Sequence, residues 1–145
     1  MSGAINVLLV DDDPLTVINV KRALANTLEI ASVAVAADGV EALALLRGGT
    51  LASERLLMIT DIAMPRMSGL ELLAEVRADP ELRNLPVVVL TTSSRDFDRR
   101  AAFELQVAGY FVKKAARKPF DELLQWMRSY WSSAEFAPGS APGGT

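Results

Sequence analysis

Five short apolar runs punctuate the chain, and the segments between them repeat with a helical period. The runs are Ile5–Val10, Ser32–Ala36, Leu56–Ile59, Val87–Leu90 and the weaker Tyr110–Val112. Apolar residues in unbroken succession fit strands buried on both faces, as in a parallel sheet. The first intervening segment, Pro14 to Leu28, carries Val17, Val20, Leu24 and Leu28 on one stripe. Asp13 precedes it as an N-cap, and Pro14 suits the first helical position. Val40 to Leu46 predicts a short helix. Ser68-Gly69-Leu70-Glu71 reads as a capping box that opens a helix running to about Ala78. Asp96 to Leu105 predicts a fourth helix and Phe120 to Trp131 a fifth.

Strand and helix thus alternate through five repeats, which predicts an α/β fold with a doubly wound parallel sheet. Right-handed crossovers would place helices on both faces. The folded domain is expected over residues 4–132. Residues 133–145, rich in Pro, Gly and Ser, read as a flexible tail. In the last helix Phe120, Leu123, Leu124, Met127 and Tyr130 or Trp131 form the core stripe, and Trp126 falls to one side. A helix apolar over more than one face points to a partner surface, with the plainer reading that Trp126 lies flat on its own domain.

Composition narrows the chemistry. A chain of 145 residues, half of them hydrophobic, suits one domain with a sizeable core. Net charge is −3, from 15 basic and 18 acidic residues, which argues against a nucleic-acid binder. There is no cysteine, hence no disulfide framework or thiolate metal site. There is no histidine either, which excludes Ser-His-Asp catalysis, His-ligated zinc and phosphorylation on the chain's own histidine. No apolar stretch approaches the roughly 18 residues of a membrane span, and the N-terminus lacks the marks of a signal peptide. A cytoplasmic protein without membrane contact is the expectation.

The polar residues that close the apolar runs carry the candidate chemistry. Asp11-Asp12-Asp13 closes the first and Asp61 the third; Thr91 closes the fourth and Lys113 the fifth. In a parallel sheet all of them reach the carboxyl edge, where open α/β sheets bind ligands. Converging carboxylates call for a cation, and one of them is a candidate nucleophile. Each has a plainer reading. The Asp triplet before Pro14 could be a turn and helix cap, and Asp61 an ordinary turn residue. Thr92 competes with Thr91, and Tyr110 could be a half-buried core aromatic.

The run Asp61-x-x-Met64-Pro65-x-x-Ser68-Gly69, taken with Asp11-Asp12, Thr91 and Lys113, resembles the receiver domain of bacterial two-component response regulators. The resemblance covers about residues 4 to 132. It implies a flavodoxin-like sheet of strand order 2-1-3-4-5. It makes Asp61 the residue that takes a phosphoryl group from a histidine kinase's phosphohistidine. Mg²⁺ would be ligated by Asp12, Asp61 and the Ala63 carbonyl, with Asp11 close by or linked through water. Lys113 would pair with the phosphoryl oxygens and the Thr91 hydroxyl would donate to them. Tyr110 would swing inward as Thr91 moves, with readout through the fourth helix, fifth strand and fifth helix. Such a protein catalyses its own phosphorylation and dephosphorylation and is not otherwise an enzyme. Leu15 and Ile18, off the core stripe beside the acidic edge, would dock the histidine-bearing partner. Ala63 and Ser93 stand at positions that influence dephosphorylation in this family, and neither can reach far to orient a water. Slow hydrolysis is therefore expected.

The chain departs from the family where Lys113 is followed by Lys114 and not by proline; Lys118-Pro119-Phe120 comes later and makes Lys118 a rival for the site lysine. A cis bond without proline costs about 3–4 kcal/mol, so a trans or strained Lys113–Lys114 peptide is expected. This departure, with Tyr130-Trp131 and the lack of an output domain, resembles the small single-domain regulators that partner bacterial phytochromes. It implies a bacteriophytochrome as the kinase, a downstream protein target, and a homodimer through the fourth helix, fifth strand and fifth helix or the C-terminal end. Two alternatives stand beside this reading: a haloacid-dehalogenase-type phosphatase using Asp11 and Asp13, and a pseudo-receiver that binds partners without phosphate.

Overall fold

The computed structural model describes residues 4–27, 30–51, 54–113 and 120–133. Its elements, in chain order, are β1 (Ile5–Val10), α1 (Pro14–Thr27), β2 (Ile30–Ala36), α2 (Gly39–Arg47) and β3 (Leu56–Thr60). They continue as α3 (Gly69–Ala78), β4 (Val87–Thr91), α4 (Asp96–Glu104), β5 (Gly109–Val112) and α5 (Asp121–Ser133). The five strands form one parallel sheet in the order β2-β1-β3-β4-β5, so the expected fold class is the observed one. Among the described residues no helix is long and apolar enough to cross a membrane.

The unbroken apolar runs hide a strict alternation. In β1, Leu8 and Val10 face a core shared with α2, α3 and α4, through Leu43, Leu72, Val76 and Ala102. Val7 and Leu9 face the opposite core, filled by Val20 and Leu24 of α1 and by Leu123, Leu124 and Met127 of α5. Successive side chains leave a strand on opposite faces. A strand with helices on both sides must therefore be apolar at every position. β1, β3 and β4 are buried throughout, whereas the edge strand β2 is mostly half-buried or exposed.

Helix starts follow local side-chain chemistry. Asp13 accepts from the Leu15 N–H at 3.1 Å and from the Thr16 hydroxyl at 2.8 Å, capping α1. Ser68 and Glu71 form the reciprocal capping box of α3. α2 begins one residue before the expected Val40, because Asp38 caps it and accepts from the Glu41 N–H.

Trp126 packs on its own domain, stacking on Tyr130 with ring centroids 4.8 Å apart and meeting Phe111 edge-on at 6.1 Å, and it stays half-buried. α5 runs through Ser133, just past the expected domain edge. Leu28, Lys114–Pro119 and residues 134–145 lie outside the described residues, and with them Lys118, the Lys113–Lys114 peptide and most of the expected tail.

Candidate functional site

Register assembles the site. β1 and β3 pair with Val10 opposite Thr60, so the next residues, Asp11 and Asp61, emerge side by side at the carboxyl edge. Backbone bonds hold both: the Asp61 N–H donates to the Val10 carbonyl and the Asp11 N–H to the Ala36 carbonyl, each at 2.9 Å. β4 and β5 pair with Thr91 opposite Val112, which delivers Lys113 to the same edge, its N–H donating to the Thr91 carbonyl at 2.6 Å.

The side chains then converge. Lys113 Nζ donates to Asp11 Oδ2 at 2.8 Å and to Asp61 Oδ2 at 3.1 Å. Asp11 and Asp61 are buried and Asp12 is exposed. Carboxylate oxygens of Asp11, Asp12 and Asp61 all lie within 4.8 Å of one another. The second oxygen of each buried acid is held by backbone: Asp11 Oδ1 accepts from the Asp13 N–H at 2.9 Å, and Asp61 Oδ1 from the Ile62 N–H at 2.6 Å.

Electrostatics follow from this packing. Burial pushes the Asp11 carboxyl above its ordinary range, against the opposing pull of the Lys113 ammonium. Burial works to lower the Lys113 pKa, but the hydrogen bond to Asp11 and the charge of Asp61 outweigh it, and Lys113 stands above the ordinary lysine value. Asp13 is shifted down by the Thr16 hydroxyl and stays apart, both its oxygens occupied in capping α1.

The loop from Asp61 to Ser68 presents an exposed Ala63 beside the cluster. It is closed by the Gly69 N–H donating to the Ile62 carbonyl at 2.8 Å. A Cβ at Gly69 would fall on the Asp61 carbonyl oxygen, which explains the glycine.

Thr91 is buried at the end of β4, and its hydroxyl oxygen accepts from the Ser93 N–H at 3.3 Å; Thr92 is exposed. The Ser93 hydroxyl donates to Asp98 Oδ2 at 2.6 Å. Tyr110 is half-buried, and its hydroxyl donates to the Ser93 carbonyl at 2.9 Å while the Arg99 guanidinium lies 4.9 Å over its ring. Leu15 and Ile18 are exposed on α1.

The structure therefore brings Asp11, Asp12, Asp61 and Lys113 together, with Thr91 beside them. Leu15, Ile18 and Tyr110 stand outside this group. Sequence reasoning missed the ties around the site: Asp38 to Arg66, and Ser93 to Asp98. Asp38-Gly39-Val40-Glu41 did carry a capping signature that marks the start of α2, but nothing local points from Asp38 to Arg66.

A donor set of three carboxylates, all hard oxygens, fits a divalent cation such as Mg²⁺ or Mn²⁺. An ammonium bridging two buried carboxylates can re-pair with a negatively charged group delivered to Asp61.

Residues 7–125 match the family described as response regulator receiver domain. The response regulator Rcp1 of Synechocystis sp. (strain ATCC 27184 / PCC 6803 / Kazusa) is 36% identical over 84 residues, a stretch that covers 58% of this chain and 57% of that relative. The phosphorylated cyanobacterial phytochrome response regulator RcpA superposes with a TM-score of 0.80 at 30% identity, covering 94% of this chain and 99% of that one. The Mn²⁺-bound form of Rcp1 superposes with a TM-score of 0.78 at 28% identity, covering 92% and 99%.

Proposed function

The chain belongs to the response regulator receiver family, and from that membership we propose that Asp61 is its phosphoacceptor, charged by a phosphohistidine of a partner kinase. Receiver domains take phosphoryl groups from histidine kinases and bind Mg²⁺ or Mn²⁺ at an acidic cluster. The observation that carries the assignment here is the Lys113 ammonium shared between Asp11 and Asp61. An Asp61 carboxylate oxygen attacks phosphorus, the P–N bond to the imidazole breaks as the P–O bond forms, and the imidazole leaves with the bonding pair. Lys113 pairs with the incoming oxygens, and Thr91 turns its hydroxyl from the Ser93 N–H to donate to them.

Asp11, Asp12, Asp61 and the Ala63 carbonyl would hold the cation. When bound, it offsets charge on the transferring group. Catalysis is then mostly positioning, so the chain promotes its own phosphorylation and dephosphorylation and transforms no other substrate.

The kinase is assigned as a phytochrome-type histidine kinase, because RcpA, similar over nearly the whole chain, is a phytochrome response regulator. That reading places the chain in the cytoplasm, docked on its kinase through Leu15 and Ile18. Signalling then passes by protein contact and not through DNA or membrane. A homodimer through α4, β5 and α5 is supported by exposed Phe97 and Phe103 on α4. The phosphatase alternative is not favoured: both oxygens of Asp13 are engaged at the start of α1.

Acetyl phosphate with Mg²⁺, followed by mapping of the adduct by mass spectrometry, tests the assignment. The expected adduct is on Asp61 and absent from Asp61→Asn. An adduct elsewhere, or none, defeats it.

A further inference from the structure

A second charged pair stands beside the acidic cluster without belonging to it. Arg66, in the loop between Asp61 and Ser68, has φ 65°, the left-handed region that residues with a Cβ avoid. Its Nε donates to Asp38 Oδ2 at 2.7 Å and its Nη2 to Asp38 Oδ1 at 3.3 Å. Asp38 is buried, and Oδ1 also caps α2 by accepting from the Glu41 N–H at 2.9 Å. Beside it the Gly39 N–H donates to the Met67 carbonyl at 3.2 Å. A Cβ at Gly39 would come within 2.7 Å of Met67 Cγ. The loop is thus sewn to the start of α2 by a fork of two hydrogen bonds, a backbone bond and a glycine packed without spare room.

A residue other than glycine persists at positive φ where its surroundings over-determine it. Here the partner is Asp38, held above the sheet edge by the helix it caps. The guanidinium beside it lowers the Asp38 carboxyl below its ordinary range, as expected of a committed pair. The far end of the loop has little slack. Ile62 is fixed on one side by its N–H to Asp61 Oδ1 and on the other by its carbonyl, which accepts from the Gly69 N–H. Only Ala63, Met64 and Pro65 lie between this anchor and the clasp at Arg66, so the clasp limits where the Ala63 carbonyl can sit.

We propose that Arg66, clasped by Asp38, is a positioning residue for the divalent cation: the clasp fixes the loop that carries the Asp61 carboxylate and the Ala63 carbonyl. It rests on the reading of Asp61 as phosphoacceptor. The Arg66 side chain is 60% exposed and that of Asp38 5%, so salt screens the clasp less than it would a fully exposed pair.

The test is Mn²⁺ affinity, read from free Mn²⁺ by electron paramagnetic resonance, in wild type, Arg66→Gly, Asp38→Asn and the double variant. Thermal unfolding and acetyl phosphate labelling run alongside. Arg66→Gly removes the guanidinium and relaxes the backbone, while Asp38→Asn keeps a competent helix cap without the charge. Each single change is expected to weaken Mn²⁺ binding roughly tenfold, in the range typical of groups that orient metal ligands. The double is expected to lose no more than either single, because one interaction is removed in all three. The Tm of metal-free Arg66→Gly stays at the wild-type value. Unchanged affinity in Arg66→Gly, additive losses, or a Tm that falls in step with affinity overturns the clasp. If wild type itself neither binds Mn²⁺ nor takes label on Asp61, the phosphoacceptor reading fails; if wild type does both and Arg66→Gly matches it, the clasp alone fails.

Discussion

Lys113 reaches Asp61 from two strands away in the sheet, Nζ to Oδ2 at 3.1 Å, and it does so while holding Asp11 more tightly at 2.8 Å. One ammonium thus faces two buried acids and leaves the site net negative, with Asp12 exposed beside them. The pair is a switchable electrostatic element, because any group that adds negative charge to Asp61 competes with Asp11 for the ammonium.

That element sets a pH dependence for the metal-free protein. Burial opposes charge on Lys113, but the two carboxylates win and its folded pKa stands above the ordinary 10.5. A raised basic pKa contributes stability that is complete below the unfolded value and is lost as pH climbs through the folded one. Asp11 runs the other way: its raised carboxyl pKa means stability falls as pH rises from the ordinary 3.8 through the folded value. Urea denaturation in a chelating buffer is expected to show wild type losing stability above about pH 10.5 more steeply than Lys113→Met. Equal slopes for the two proteins would mean that Lys113 is not paired in solution.

Gly69 makes a second, steric prediction. Its missing Cβ leaves space that the Asp61 carbonyl oxygen fills, and its N–H closes the loop onto Ile62. Gly69→Ala must push the start of α3 away from β3. The expected cost is about 1–3 kcal/mol, as for overpacking elsewhere, together with slower labelling of Asp61 by acetyl phosphate. Urea titration and label incorporation read the two effects. Wild-type labelling in a destabilised protein would show that the loop tolerates the shift without moving the carboxylate.

The lifetime of the phosphorylated form can be argued from Ser93. Its hydroxyl already donates to Asp98 Oδ2 at 2.6 Å, and Ala63, two residues past Asp61, has only a methyl group. Neither can position a water against an aspartyl phosphate. Hydrolysis in the isolated protein is expected to take far longer than seconds, and Ser93→Ala to leave the rate essentially as it was. Decay of a radiolabelled or gel-shifted phosphoprotein measures both. Loss of label within seconds, or a large change in Ser93→Ala, would contradict the geometry.

The chain disclosed its site more readily than the ties that steady it. Strand ends were legible because the apolar runs stop at charged or hydroxyl residues: Val10 before Asp11, Thr60 before Asp61, Leu90 before Thr91, Val112 before Lys113. The α3 start was legible because a capping box lies within one turn, Ser68 to Glu71. Arg66 with Asp38 was not, since the two are distant in sequence and only the packing of α2 beside the β3–α3 loop joins them. The contact of Trp126 with Phe111 was not legible for the same reason: on a bare helix Trp126 falls off the stripe, and β5 brings Phe111 against it only once the sheet is formed. Local chemistry can be read from one segment, whereas contacts between elements depend on a topology that no single segment contains.

Tyr110 brings the last prediction, and it concerns the switch. In this structure the Tyr110 hydroxyl donates to the Ser93 carbonyl at 2.9 Å, and Ser93 in turn bonds its N–H to the Thr91 hydroxyl oxygen at 3.3 Å. Tyr110 therefore fastens the loop that Thr91 would pull on if, as proposed, it turns toward a phosphoryl group. If the ring leaves Ser93 on phosphorylation, the hydrogen bond stabilises the unphosphorylated state alone. Tyr110→Phe should then lower the stability of unphosphorylated protein by about 0.5–1.5 kcal/mol, the usual net worth of such a bond, and leave the phosphorylated form unchanged. The difference shifts the equilibrium toward the active arrangement by the same amount. Urea titration with and without acetyl phosphate separates the two states. Equal losses in both would mean that Tyr110 keeps its bond throughout, and the coupling between Thr91 and the α4 face would have to run through Ser93 and Asp98 instead.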